Sequence, residues 1–307
     1  MSASQKATAA ARRSGPVNRS EHMPPRAMGI ALFLALLWGG LAPAIKISLS
    51  DVPPLGAAWL RFGTGMVAIT LWAALVERVR LRPTRAEVPH LLALGVLFAL
   101  QIPTLNIGTM STSAGHSSTL LSAYPLFVAL FAHRLVPGDR LSPIKVVGMV
   151  VAFVGVAVVF AERGASGVSL RGDAWVLLSA VLLAGLLVYT KRLTAWINPY
   201  RVLLGQMVVG VPVFLIGSLL WEGPAAYRFS WSVTVAILYQ GLVVAAFCFT
   251  VSIHLIRRYP PSRVTAFSFS TPLFGVLLSA LLLGEPVTPG LGIGVACVAV
   301  GIYLANR

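Results

Sequence analysis

Apolar residues run through this chain in blocks of about twenty, the length a helix needs to cross a bilayer. Each block ends in a short cluster of Pro, Gly, Arg or an acid, and the next begins within a few residues. Backbone amides in lipid must find partners inside their own segment, so helices joined by tight turns are the expected solution. The pattern predicts ten spans: 28–48, 54–76, 89–108, 114–135, 142–160, 172–190, 199–221, 232–255, 261–284 and 288–305. Residues 1 to about 26, rich in Ala, Ser and Arg with the single acid Glu21, read as a disordered basic tail. A cleaved signal peptide and an organellar transit segment are the alternatives; the first apolar run continues to about Leu49 and more spans follow, which fits a first transmembrane helix better.

The blocks repeat. Ala114 to Gly155 and Pro261 to Gly301 both carry a central Pro-Leu-Phe (Pro125 to Phe127, Pro272 to Phe274). A Gly-acid turn follows in each (Gly138-Asp139, Gly284-Glu285), then a helix with glycines seven apart (Gly148 and Gly155, Gly294 and Gly301). Shifted by 145, Lys46 falls on Lys191, Pro54 on Pro199 and Gly65 on Gly210; shifted by 147, Pro125 falls on Pro272. The copies run over 27–162 and 171–307. Five spans per copy is an odd number, so the second enters the membrane from the opposite face. The expected architecture is an all-α polytopic membrane protein of ten transmembrane helices in two inverted five-helix repeats. Such repeats mark transporters whose solute site lies near the midplane between the halves.

Composition agrees with a lipid solvent: 57% of residues are hydrophobic and 11% charged. The formal charge of +15 would point to nucleic acid in a soluble chain, but its placement decides otherwise. Nineteen of the 24 basic residues fall in the tail, the even-numbered connections and the C-terminus. Lys46, Arg163, Arg171 and Arg228 fall on the other side, and Arg61 lies within a span. Both termini are therefore expected in the cytoplasm and the protein in the cell's inner membrane. Cys248 and Cys297, both in apolar segments, read as small core residues rather than a disulfide or a metal site.

Trp38-Gly39 in span one, the Asp51-Val52-Pro53-Pro54 turn, Arg61-Phe62 in span two, Pro125 and Pro272, and the Gly284-Glu285-Pro286 turn appear in this order over residues 28 to 305. Together they resemble the drug/metabolite transporter superfamily, in its EamA-type ten-helix exporters. The resemblance implies two five-helix bundles and export of small solutes by alternating access, with amino acids, nucleosides and drugs among the solutes. The sequence departs from the family at Pro137-Gly138-Asp139, where Gly-Glu is usual.

Polar residues deep in a span are expensive and therefore functional candidates. At 1.5 Å per residue, Trp38, Gln101, Tyr124, Gln206, Tyr239, Gln240, Ser268 and Ser270 fall near one level and form the expected substrate pocket. Helix packing and interhelical bonds are the structural alternative for each. Arg61 either receives an anionic group, snorkels to the surface, or ties down a helix end, with neutral Gln206 at the matching place of the second copy. His116 is a proton-coupling candidate or an ordinary interfacial histidine. Lys46 and Lys191 end their spans, where their charged heads are expected to reach headgroups and water. Pro125 and Pro272 are candidate hinges, and static kinks are the alternative.

All nine acids sit at or near connections or in the tail, so no membrane-buried carboxylate is expected. No His-Glu-x-x-His, Gly-x-Gly-Asp or phosphate-cradling Gly-x-x-x-x-Gly-Lys-Ser/Thr occurs, which argues against an enzyme, a bound metal or a cofactor. The partners implied are a small-molecule substrate and the lipid bilayer, with no nucleic acid, in a monomer or homodimer. A passive channel or facilitator and a non-transport membrane scaffold are the competing readings.

Overall fold

The computed structural model describes residues 23–135, 143–161, 168–223, 227–259 and 266–305. Most of the tail and the Pro137-Gly138-Asp139 turn lie outside these residues. Among them the regular structure is helical throughout, in ten rods numbered here in chain order. Helix α1 is Pro25–Ser48, α2 Pro54–Val76, α3 Val88–Ser111, α6 Leu170–Leu193 and α7 Pro199–Glu222. Helix α4 comes in two pieces, Ala114–Leu121 and Tyr124–Leu135, and α5 is Pro143–Ala161. Helix α8 begins at Trp231 and ends at Arg258. Helix α9 opens with the 3₁₀ turn Ala266–Ser270 and continues as Thr271–Leu283, and α10 is Pro289–Ala305. The tail is shorter than expected, because Pro25 and Arg26 are already helical.

Prolines set many of the starts: Pro25, Pro54, Pro143, Pro199 and Pro289 each open a helix. The missing amide costs nothing there, since the first turn has no intrahelical acceptor for it. Six helices, α1, α2, α3, α6, α7 and α8, are long and apolar enough to cross a bilayer. Three shorter apolar helices lie within α5, α9 and α10, and α4 is interrupted. The outward faces carry Val67, Leu75, Leu220 and Leu281, all well exposed. Those faces suit lipid tails rather than water, and the protein is a multi-pass membrane protein.

Packing follows the repeat. Three contacts pair a helix with its own counterpart, α2 with α7, α4 with α9 and α5 with α10, the last being the most extensive in the bundle. The others exchange when every helix is replaced by its counterpart: α3 on α7 becomes α8 on α2, and α4 on α6 becomes α9 on α1. The two copies are interlaced rather than set side by side.

The seven-spaced glycines explain the tightest of these contacts. A Cβ added to Gly155 would lie 2.6 Å from the Gly294 carbonyl oxygen, and one added to Gly301 would lie 2.5 Å from that of Gly148. Helices α5 and α10 therefore meet backbone to backbone, reciprocally, as small residues permit in a membrane.

Candidate functional site

Four helices are irregular in the middle of the bundle. In α1 Gly40 separates Pro25–Gly39 from Leu41–Ser48, and Pro43 has no amide to offer the Gly39 carbonyl. Helix α4 breaks at Ser122-Ala123, just before Tyr124-Pro125. Its counterpart α9 changes from 3₁₀ to α at Ser270-Thr271, just before Pro272. Helix α8 widens to a π-helix over Tyr239–Cys248, an insertion frequent at functional sites.

The irregular stretches meet one another. Tyr239 donates its hydroxyl proton to the Leu37 carbonyl at 2.5 Å, just before the break in α1. A Cβ on Gly40 would lie 2.5 Å from that hydroxyl, and one on Gly39 would lie 2.6 Å from the Phe274 Cβ of α9. One on Gly275 would collide with Ser118 of α4. Trp38, Val251 and Phe267 pack against one cluster that includes Leu34 and Cys248, and the first piece of α1 touches the 3₁₀ turn that carries Ser268 and the buried Ser270. Tyr124, half-buried, opens the second piece of α4.

The remaining candidates lie elsewhere. Gln240 is buried and donates to the Ala44 carbonyl at 3.0 Å and the Ser48 hydroxyl at 3.2 Å, further along α1. Gln101 donates to the Ser179 hydroxyl at 2.8 Å, and that hydroxyl donates back to the Gln101 carbonyl at 3.2 Å. This reciprocal bond locks α3 to α6.

Arg61 in α2 and Gln206 in α7 occupy internally matching positions. Arg61 is 6% exposed, so it does not snorkel, and its Nε and Nη1 have no hydrogen-bond partner. The guanidinium carbon lies 4.5 Å from the Phe62 ring centroid. Phe62 in turn packs edge-on against Phe98 at 4.7 Å and near Phe214 at 6.4 Å. Gln206 is 8% exposed, with its Oε1 unpartnered.

At the bundle end that carries Lys46 the structure corrects two expectations. Asp173, in the first turn of α6, is 1% exposed. It accepts from Thr112 Oγ1 at 2.6 Å and meets His116 Nδ1 at 3.1 Å. A buried carboxylate is thus present, and His116, itself 1% exposed, is no interfacial residue. Glycine is the cause: a Cβ on Gly172 would lie 2.7 Å from the Ser111 backbone, and one on Gly108 2.8 Å from the Val176 amide. The start of α6 can therefore sink against the end of α3.

Lys46 does not reach outward. It donates to the carbonyls of Thr109 at 3.1 Å, Met110 at 3.0 Å and Thr112 at 2.5 Å, capping the negative end of α3.

Two further acids close helix starts at this end. Gly284 turns the chain with φ +66°, the left-handed region where glycine is favoured. The Glu285 that follows accepts from the amides of Ala114 and Gly115 at 2.8 and 2.9 Å. Glu222 does the same for Leu55 and Gly56. Both bonds cross from the second copy to the first. His116 and Glu285 line one small cleft with Ser113 and Thr288.

The sequence matches the EamA-like transporter family over residues 26–161 and again over 170–307. The chain belongs to that family. Among relatives of this EamA-like transporter, a protein named as an uncharacterized transporter of Archaeoglobus fulgidus is 28% identical over 285 residues, covering 91% of this chain and 98% of its own. One named as a probable amino-acid metabolite efflux pump of Escherichia coli is 24% identical, with 90% and 93% covered. One named as a probable terminal-alkyne amino-acid exporter of Streptantibioticus cattleyicolor is 27% identical, with 92% and 94% covered. A solved crystal structure 22% identical superposes with a TM-score of 0.67 over 90% of this chain and 96% of that one, a likeness of fold.

Sequence reasoning did not single out Thr112, Asp173, Ser179 or the capping roles of Glu222 and Glu285. Asp173 follows the helix-capping Ser169, whose hydroxyl accepts from Gly172, and an acid there reads as a partner of the helix dipole. Its burial depends on which helix end the two glycines bring against it, which no local pattern carries.

Proposed function

We propose that this EamA-like transporter is a secondary exporter of small metabolites, amino-acid- or nucleoside-like solutes or drugs, working by alternating access across the plasma membrane through ten spans with both termini cytoplasmic. The observation that carries the reading is the matched interruption of α4 and α9 at Pro125 and Pro272, in two copies whose contacts exchange under the repeat. Discontinuous helices in inverted repeats leave backbone groups free to face a solute and permit one half to rock against the other. Pro125 and Pro272 serve as the hinges. Trp38, Tyr239, Ser268, Ser270 and Tyr124 line the path at the irregular crossing, and Arg61, Gln206, Gln101 and Gln240 flank it. The names of the relatives favour amino-acid-like solutes within this range.

The purified chain in proteoliposomes is expected to give saturable flux and counterflow of amino-acid metabolites. Linear flux that no solute competes for would make it a channel instead, and no flux at all would favour a scaffold. His116, held by Asp173 at the outer end, is the proposed coupling residue. A proton gradient that drives wild-type uptake should fail to drive His116→Ala, and equal response of both proteins removes the histidine from coupling.

A further inference from the structure

We infer that Arg61 is the receptor for an anionic group of the transported solute, a carboxylate above all, so that the protein takes acids and zwitterions in preference to cations. The inference rests on the exporter reading and narrows its substrate class. A guanidinium keeps its charge at any physiological pH, and a buried charge must be paired or hydrated to be tolerated. Here the chain supplies neither of those partners to Nε or Nη1: both atoms are buried and unbonded.

Five of the described acids are committed elsewhere. Glu77 pairs with His254 and Glu87 with Arg201. Asp173 is held by Thr112 and His116, and Glu222 and Glu285 close helix starts. Among the described residues no acid forms an ion pair with Arg61. The counter-charge is therefore left to the solute, which would accept a charge-assisted hydrogen bond in a setting where water competes poorly.

The surroundings fix the rest of the solute's chemistry. Phe62, Phe98 and Phe214 form an apolar wall beside the guanidinium, suited to a hydrocarbon or aromatic side chain. The internally matching position in α7 is neutral Gln206, whose unpartnered Oε1 can accept from an N–H.

The test uses the full chain in phosphatidylcholine nanodiscs, which carry no net-anionic lipid, in chloride-free buffer. Three phenyl probes are titrated against the thermal unfolding midpoint: 3-phenylpropanoate, L-phenylalanine and 2-phenylethylamine. The two carboxylates are expected to raise the midpoint and the amine to leave it unchanged. Arg61→Gln is expected to weaken the response to both acids at least tenfold. Equal response to all three probes, no response to either acid, or an unaltered response in Arg61→Gln would overturn the inference. Should Arg61→Gln not fold, Arg61→Lys is expected to need about tenfold more carboxylate, and an unchanged midpoint concentration overturns it. Adding chloride or anionic lipid to the wild type separates other anions from solute; if either alone reproduces the acid-induced shift, the carboxylate assignment fails. Counterflow on the same protein separates this inference from the one beneath it. Carboxylate binding without counterflow sinks the exporter reading alone, whereas counterflow that amine and acid compete for equally sinks the carboxylate receptor alone.

Discussion

The Lys46 end of the bundle and its interior treat their charged groups in opposite ways. At the Lys46 end, Lys46 has three carbonyl acceptors, Asp173 two donors, Glu285 two helix amides, and Glu222 two amides and the Ser218 hydroxyl. In the interior, Arg61 and Gln206 are 6% and 8% exposed and leave Nε, Nη1 and Oε1 without partners. Desolvating a polar group without a replacement bond is costly. The charged groups at the Lys46 end are accordingly saturated by the chain itself, although the buried Asn106 Oδ1 there has no partner, and a charged group left unsaturated is a candidate for binding something that arrives later. Substitutions that probe stability and transport separately can break this division.

The largest stability effect is expected at Asp173. Asp173→Leu removes at once the acceptor of the Thr112 hydroxyl and the carboxylate that meets His116 Nδ1. Breaking a buried pair from one side costs about 3 kcal/mol or more. The purified variant should unfold at a markedly lower temperature than wild type. Wild-type stability for this variant would mean that the saturated end is not what holds α6 against α3 and α4.

Glu285→Ala ranks next. It releases two amides at the start of α4, and losses at helix N-caps run to about 1 kcal/mol, at most about 2. Since Glu285 belongs to the second copy and Ala114 to the first, the loss should also loosen the contact between copies. Hydrogen exchange at the Ala114–Leu121 amides should rise more than exchange in α5, and uniform exchange across both would count against a local cap.

Gln101 tests the boundary between the two regimes, because it was expected in the pocket and is found bonded to Ser179. If its role is the lock alone, Gln101→Leu and Ser179→Ala should each lower stability by roughly 0.6 kcal/mol, typical of interhelical bonds in membranes. The double variant should then cost no more than either single one. A flux loss in Gln101→Leu that Ser179→Ala does not share would return Gln101 to the solute path.

Much of the architecture was legible because lipid imposes length and polarity on each segment. Pro54 and Pro199 fixed two helix starts to the residue, and the seven-spaced glycines of α5 and α10 marked a contact that proved to be reciprocal. Local spacing also located the interruptions at Pro125 and Pro272, although not that α8 widens over Tyr239–Cys248. What could not be read was partnership. Gln101 and Gln206 look alike on a helical wheel, yet one meets Ser179 and the other ends unpaired, according to which foreign helix lies opposite. Asp173 sits at a helix start next to a connection, as its place in the sequence implies, and Gly172 and Gly108 let it be buried there. Burial and pairing are decided by tertiary contact, so the candidate site was visible as a set of residues but not as a geometry.

The smallest stability change, and the sharpest test of the division, is expected at Gln206. Gln206→Leu keeps nearly the same volume, removes the unpartnered Oε1 and places a methyl group among the apolar neighbours of α2, α3 and α7. Replacing an unsatisfied polar atom by an apolar one of similar shape is close to neutral or stabilising, so the unfolding midpoint should hold or rise slightly. Flux of an amino-acid solute should nevertheless fall, because the unpartnered acceptor at the position matching Arg61 is gone. Gain in one measurement with loss in the other is the signature of a group kept for function at the expense of stability. If Gln206→Leu instead lost as much stability as Asp173→Leu, its oxygen would have a structural partner after all, and the contrast between the two regions would fail.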